Sequence, residues 1–100
     1  MKTNTIIQEE ILFFLYQNKY FNKRHTPISN ICNKLSGIPC KYIKNELKSL
    51  YKLRFIRFKK TKHGNDVFLN IKMKKEIEDI ISDKLDSLYS LWFNIRKDNI

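Results

Sequence analysis

The fold is indicated most clearly by the segment Thr26-Pro-Ile-Ser-Asn-Ile-Cys-Asn-Lys-Leu-Ser-Gly-Ile-Pro-Cys-Lys-Tyr-Ile-Lys-Asn-Glu-Leu-Lys-Ser-Leu50. Its start, Thr26-Pro27, predicts a helix, because an N-cap hydroxyl followed by proline suits the first turn. Gly37 predicts the end of that helix in the left-handed conformation, and Pro39 opens a second helix two residues later. Two short helices joined by so tight a turn cross steeply, which is the helix-turn-helix geometry.

The second helix of this pair has two chemically different faces. Ile43, Leu47 and Leu50 recur at i, i+4 and i+7, which predicts a stripe facing the core. The opposite face is polar and basic, and it holds the first group of candidate binding residues: Lys41, Tyr42, Lys44, Asn45 and Lys48.

The rest of the chain supplies two further kinds of pattern. Apolar residues at helical spacing predict a first helix from Thr5 to about Asn18. After Leu53 the period changes to two, which predicts a β-hairpin whose polar turn spans Lys60 to Asp66. From Lys72 the helical period returns and predicts a helix of roughly 24 residues. We therefore expect a mainly helical α+β fold, with residues 1–71 and 72–100 forming two parts of one compact domain.

Positive charge is concentrated in the middle of the sequence. The net charge is +10, and residues 1–71 carry all of that excess, while residues 72–100 have six basic and six acidic residues. Between Lys41 and Lys62, nine Lys and Arg residues face one acid, Glu46. A localised basic block in a folded domain is typical of a protein that binds a polyanion, although a solvated lysine-rich surface gives the same composition.

Several other classes of function are disfavoured. No apolar run is long enough to span a bilayer, and no signal peptide is recognisable, so we expect a cytoplasmic protein without a membrane partner. Cys32 and Cys40 are interpreted as free thiols, with Cys32 on the apolar stripe of its helix. The cysteines and histidines lack metal-ligand spacing, and the acids cluster among lysines on one helix. We expect neither an enzyme nor a cofactor.

The order of helix, helix-turn-helix, basic hairpin and long helix resembles the winged helix-turn-helix superfamily of small prokaryotic DNA-binding proteins. The resemblance covers about residues 5–71 and is carried by the segments Ile28–Leu35, Ile38–Ile43, Leu47–Leu50 and Phe55-Ile56. Cys32 stands where that family commonly has Ala, Pro39 where Ser or Thr often caps, and Arg54 where Gly is usual. Arg54 implies that the chain leaves the recognition helix without a left-handed residue.

The resemblance implies that the second helix of the pair enters the major groove of duplex DNA and that the hairpin is a two-stranded wing. Residues in the N-terminal half of such a helix reach base edges, where Asn45 can pair with adenine. The wing contributes a second group of candidate residues, suited to phosphates or an adjacent minor groove: Lys59, Lys60, Lys62, His63 and Asn65.

The long C-terminal helix has an apolar stripe wider than a domain of this size needs for its own core. We expect it to form a homodimer, because symmetric dimers are the commonest oligomers. Packing against the first helix of the same chain is the alternative. The residues expected at the interface are Ile81, Leu85, Leu88, Trp92 and Ile95.

Three functions remain open from the sequence. The first is a dimeric transcriptional repressor, since size and the single C-terminal helix look like repressors of the PadR or ArsR kind. The second is a replication-initiation protein or an adaptor for plasmid or phage partition that recruits a motor protein, as in the TubR-type centromere-binding proteins. The third is a protein–protein module whose basic face docks an acidic partner.

Overall fold

The computed structural model describes residues 4–85, which form a mainly helical α+β fold as the sequence predicts. The elements in chain order are α1 (Asn4–Gln17), β1 (Thr26–Pro27), α2 (Ile28–Lys34), α3 (Cys40–Lys52), β2 (Ile56–Thr61), β3 (Gly64–Leu69) and a 3-10 turn (Ile71–Met73). A further helix, α4, begins at residue 74, and the structure describes it as far as residue 85.

The hairpin is longer, and its turn tighter, than the sequence predicts. β2 and β3 pair from Ile56 with Leu69 through to Thr61 with Gly64, so the turn consists of Lys62 and His63. The prediction of a turn from Lys60 to Asp66 is therefore wrong. Gly64 has a φ of 125°, which an L side chain rarely adopts, so glycine allows the chain to reverse here. β1 pairs with β3 and extends the predicted two-stranded hairpin to an antiparallel sheet in the order β1-β3-β2.

One apolar core lies among the helices and the inner face of the sheet. As predicted, Ile43, Leu47 and Leu50 of α3 are buried in it. Ile77 and Ile81 of α4 have no exposed surface and belong to the same core. Ile81 is thus buried in the core of its own chain, and its assignment to a dimer interface is wrong. Leu85 is half-buried against this core.

α1 and α3 end in the same way, with a basic residue in the left-handed conformation. Lys19 has a φ of 58° and Arg54 a φ of 67°. After α3, the N–H of Phe55 donates to the carbonyl of Leu50 and that of Arg54 to the carbonyl of Tyr51. This is a Schellman motif, in which glycine is the usual left-handed residue. The prediction that the chain leaves α3 without a left-handed residue is therefore wrong.

The two helix ends dock on opposite sides of the end of β3. After α1, Tyr20 accepts a hydrogen bond from the N–H of Leu69, at 2.8 Å. After α3, Phe55 accepts one from the N–H of Asn70, at 2.9 Å. The Asn70 side chain also donates to the carbonyl of Arg54, at 2.9 Å, and accepts from the N–H of Lys72. Asn70 therefore fixes the turn after α3 and the start of the last helical segment together.

Two local predictions for the segment from Thr26 to Leu50 are wrong. Thr26 lies in β1, and its hydroxyl accepts a hydrogen bond from the Asn30 side chain instead of capping the backbone of α2, which begins after Pro27. Gly37 does not adopt a positive φ: α2 ends at Lys34, and Leu35, with a φ of −102°, caps it. Pairing with Val67 in the sheet outweighs the capping preference of Thr26.

A disulfide joins Cys32 in α2 to Cys40, the first residue of α3. Their Cα atoms are 5.1 Å apart, within the normal range for a disulfide. The interpretation of both cysteines as free thiols is therefore wrong. Their sequence separation of eight residues gave no sign of a pair, but the turn between the helices brings the two positions together. The bridge links α2 covalently to the first residue of α3.

α4 is tied to α1 by a polar contact as well as by the core. The Tyr16 hydroxyl of α1 donates a hydrogen bond to the Glu78 carboxylate of α4. This bond raises the pKa of Tyr16, with smaller contributions from burial and from the negative charge of Glu78. Glu78, one of the acids that cluster among lysines on this helix, therefore joins the two helices. None of the helices within residues 4–85 is long and apolar enough to cross a membrane.

The disulfide predicts that stability depends on redox state. Reduction should lower the free energy of unfolding by about 2 to 3 kcal/mol, because a closed loop of this length restricts the unfolded chain. Urea unfolding followed by circular dichroism, with and without reductant, measures the difference. The variant Cys32→Ser with Cys40→Ser is the control and should not respond to reductant. Equal stability of the oxidised and reduced wild type would contradict this prediction.

Candidate nucleic-acid interface

The exposed face of α3 consists of the residues that the sequence predicts. The five candidates of the first group are all solvent-exposed, and they share one helix surface opposite the buried stripe: Lys41, Tyr42, Lys44, Asn45 and Lys48. None of the three lysines forms an ion pair with a described residue, and the Asn45 side-chain amide makes no hydrogen bond within residues 4–85. The face therefore offers free cations and a free amide to a ligand.

Glu46, the acid of this helix, points the other way. Its side chain is 7% exposed, and Oε1 accepts a hydrogen bond from Gln8 Nε2 of α1 at 2.9 Å. A buried carboxylate needs such a partner, because desolvation penalises an unpaired charge. The charge of Glu46 is consequently removed from the outer surface of α3, and the charged residues that remain on that surface are all basic.

The lysines near the start of α3 lie at the end of the helix where the backbone interacts least favourably with positive charge. The first turn exposes unpaired N–H groups and carries the positive end of the helix dipole. Pro39 is the N-cap residue, and no side chain caps the backbone there. Lys41 and Lys44 add charge of the same sign. An anion bound to this surface would interact favourably with both the side chains and the helix end.

The hairpin carries the second group of candidates, and it distributes them over two faces and the tip. Lys62 and His63 form the turn, and Lys60 lies opposite Asn65 across the hairpin. Lys59 lies opposite Asp66, and because side chains alternate along a strand, it faces away from Lys60. All five are exposed: Lys59, Lys60, Lys62, His63 and Asn65. The structure thus brings four of them together near the tip, with Lys59 on the other face.

Two contacts hold the hairpin against the rest of the fold. The rings of Tyr51, in α3, and Phe58, in the edge strand β2, lie 5.2 Å apart between centroids. His25, just before β1, has its Nδ1 2.6 Å from Oδ2 of Asp66 in the central strand β3. An aromatic pair with α3 and a polar pair with the segment before β1 restrain a hairpin that would be marginally stable alone. The hairpin and the exposed face of α3 can therefore act as one surface.

Sequence reasoning missed three basic residues at the C-terminal end of α3 and just after it, namely Lys52, Arg54 and Arg57. All three are exposed. Lys52 follows Lys48 by four residues and Lys41 by eleven, so helical spacing alone places it on the same face. Arg54 could not be placed from the sequence, because its position depends on the left-handed turn after α3.

No group of three His, Cys, Asp or Glu residues within residues 4–85 is arranged to hold a metal ion. Leu88, Trp92 and Ile95, which were expected at a dimer interface, lie outside the described residues. No protein-family model, curated protein or solved structure matches the chain. Its function is therefore inferred from its own residues.

Proposed function

We propose that this chain is a winged helix-turn-helix protein that binds duplex DNA sequence-specifically and represses transcription as a dimer. The observation that carries the proposal is the composition of the exposed face of α3. Among the described residues this face has lysines and an unpaired amide but no acid, because the Glu46 side chain points into the protein. A solvated lysine-rich helix has no need to bury its one carboxylate.

α3 is the proposed recognition helix. The major groove is wide enough for an α-helix, and its edges offer hydrogen-bond acceptors on guanine and a donor–acceptor pair on adenine. Asn45 has the two groups that pair with adenine, and Lys44 or Lys48 can reach guanine or a phosphate. The wing then lies beside the groove, where its lysines contact phosphates and add affinity without sequence preference.

Dimerisation is proposed for the C-terminal helix with a smaller seam than the sequence alone suggests. Ile81 is used by the protomer's own core, so the proposed seam begins at Leu85 and continues through Leu88, Trp92 and Ile95. A two-fold pair places two recognition helices about one DNA turn apart, and its site is then a pseudo-palindrome. Occupation of such a site at a promoter excludes polymerase, and this form of repression needs no catalytic step.

The proposal is tested first by selection of duplexes from a random-sequence library with the full chain. Enrichment of one sequence is expected. A protein–protein module with a basic face would bind an acidic partner and enrich no sequence. Placing the enriched site in a reporter promoter then tests repression, and reporter output that does not fall when the protein is expressed would contradict the repressor role.

The recognition helix predicts residue-specific losses. Asn45→Ala should weaken binding to the enriched site by about 1 to 3 kcal/mol and relax the preference at one base pair, because a bidentate contact to a base is removed. Lys44→Ala should also weaken binding. Competition binding with single-base variants of the site measures both effects.

Gln17→Ala and Lys72→Ala are the matched controls for these two variants, since each removes an exposed side chain of the same type outside the proposed interface. Both should bind like the wild type. Unchanged affinity and base preference in Asn45→Ala and Lys44→Ala would rule out α3 as the element that reads the sequence.

The wing predicts a loss that is the same for all DNA sequences. Replacing Lys59, Lys60 and Lys62 together by Gln should flatten the dependence of log affinity on log salt by about 2 to 3, since each phosphate contact contributes roughly 0.9. Fluorescence anisotropy at several salt concentrations measures the slope. Lys72, Lys74 and Lys75 replaced by Gln remove the same charge elsewhere, and equal slopes in the two triple variants would contradict the assignment.

The proposed dimer predicts a large effect of two substitutions in the segment after residue 85, which the sequence predicts to be helical. Leu88→Asp with Trp92→Asp should give a monomer whose DNA affinity falls by roughly 100-fold or more, because the second half-site no longer adds avidity. Sedimentation at micromolar concentration measures the mass. A wild type that sediments as a 12.1 kDa monomer and still binds its site tightly would refute the dimer.

A further inference from the structure

A polar cleft lies at the C-terminal end of α3, beyond the residues assigned to DNA so far. Its volume is about 360 Å³, and it is lined by Tyr51, Lys52, Arg54, Ile56, Arg57 and Asn70. Three of these six residues are cations and none is an acid. Like charges gathered in one cleft repel each other, so the cleft is electrostatically suited to an anion.

The backbone at Arg54 is strained at the same place. A φ of 67° is unfavourable for any residue with a side chain, and glycine is the usual occupant of this position in a Schellman motif. The Asn70 side chain holds the strained turn through its bond to the Arg54 carbonyl. Strain that is maintained by surrounding contacts, at a basic residue that lines a cleft, indicates a functional role for the side chain.

The position of the cleft relative to α3 decides which anion it fits. Lys41 and Lys52 share one face and are separated by about 16 Å along the helix axis. The major groove is about 12 Å wide. With the first half of α3 in the groove, the end of the helix lies at the groove edge, where the sugar-phosphate backbone runs.

We propose that this cleft binds a phosphodiester of the DNA backbone, with Arg54 and Arg57 as the principal contacts and Lys52 beside them. The proposal rests on the proposed DNA binding and extends it with an additional site. Arg54 offers a planar fork of N–H donors that matches two phosphate oxygens. The contact positions α3 along the groove and carries no sequence information of its own.

The test separates backbone strain from phosphate binding in one substitution. Arg54→Gly relieves the strain, so its urea unfolding midpoint should rise. It also removes the guanidinium, so the salt slope of DNA binding should flatten by about 0.9. Between 1 M and 0.1 M salt, a slope that is lower by about 0.9 makes the variant bind about eightfold more weakly than the wild type at 0.1 M.

Lys19→Gly is the matched control, because Lys19 is the left-handed basic residue at the end of α1 and does not line the cleft. It should raise the unfolding midpoint in the same way and leave the salt slope unchanged. Arg54→Gln, which keeps a polar side chain and the strained backbone, should lose affinity as Arg54→Gly does without gaining stability.

The outcomes distinguish this proposal from the proposed function. Wild-type protein that binds no duplex refutes both. If Asn45→Ala weakens binding but Arg54→Gly and Arg54→Gln do not, only the phosphate site is overturned. Equal losses in Arg54→Gly and Lys19→Gly overturn it too, since they show a general effect of charge. Inorganic phosphate that saturates the cleft at micromolar concentration, with DNA binding unaffected in Arg54→Gly, assigns the cleft to a free anion instead.

Discussion

The packing of α3 against the core determines how the other elements of the fold are arranged and which residues they expose. Ile43, Leu47 and Leu50 have almost no exposed surface, and the Gln8–Glu46 hydrogen bond holds the same side of the helix against α1. Rotation of α3 about its axis would expose apolar area and leave a buried carboxylate without its partner. These costs fix the rotation of the helix and therefore determine which residues face outward. The basic face is a consequence of what the opposite face buries.

The end of β3 fixes the position of α3 along its axis. The turns after α1 and α3 bind the two sides of this strand end through the N–H groups of Leu69 and Asn70. The left-handed residues Lys19 and Arg54 allow the chain to turn back sharply enough to reach it. Each costs about 1 to 2 kcal/mol relative to an unstrained residue. That cost is offset by the backbone hydrogen bonds and by Asn70, which serves two elements at once.

The sequence predicts best where one physical preference dominates. The two faces of α3 follow from the spacing of its apolar residues, and the hairpin from strict alternation, so their exposed candidates could be assigned without coordinates. Prediction failed where a long-range contact outweighs a local preference. Thr26 pairs with Val67 in the sheet instead of capping α2, and Ile81 packs into the core of its own chain.

Two features near the exposed face of α3 could not be predicted from the local sequence, for a related reason. Cys32 and Cys40 become neighbours only when the turn between α2 and α3 folds back, and no spacing rule identifies such a pair. Arg54 takes a conformation that its residue type disfavours, so propensity argues against the observed turn. Lys52 is different, since its spacing from Lys41 and Lys48 was sufficient to assign it to the exposed face of α3, although it was not among the predicted candidates.

In the proposed mode of binding, the outer face of α3 and the tip of the hairpin form one surface for duplex DNA. This surface can be mapped by titrating the ¹⁵N-labelled full chain with the duplex enriched from a random library and following the amide chemical shifts. The largest shift changes are expected at residues 40–54 and 59–65, with α1 little affected between Ile7 and Leu15. Changes concentrated on α1 or α4, or no changes at saturating duplex, would contradict this mode of binding.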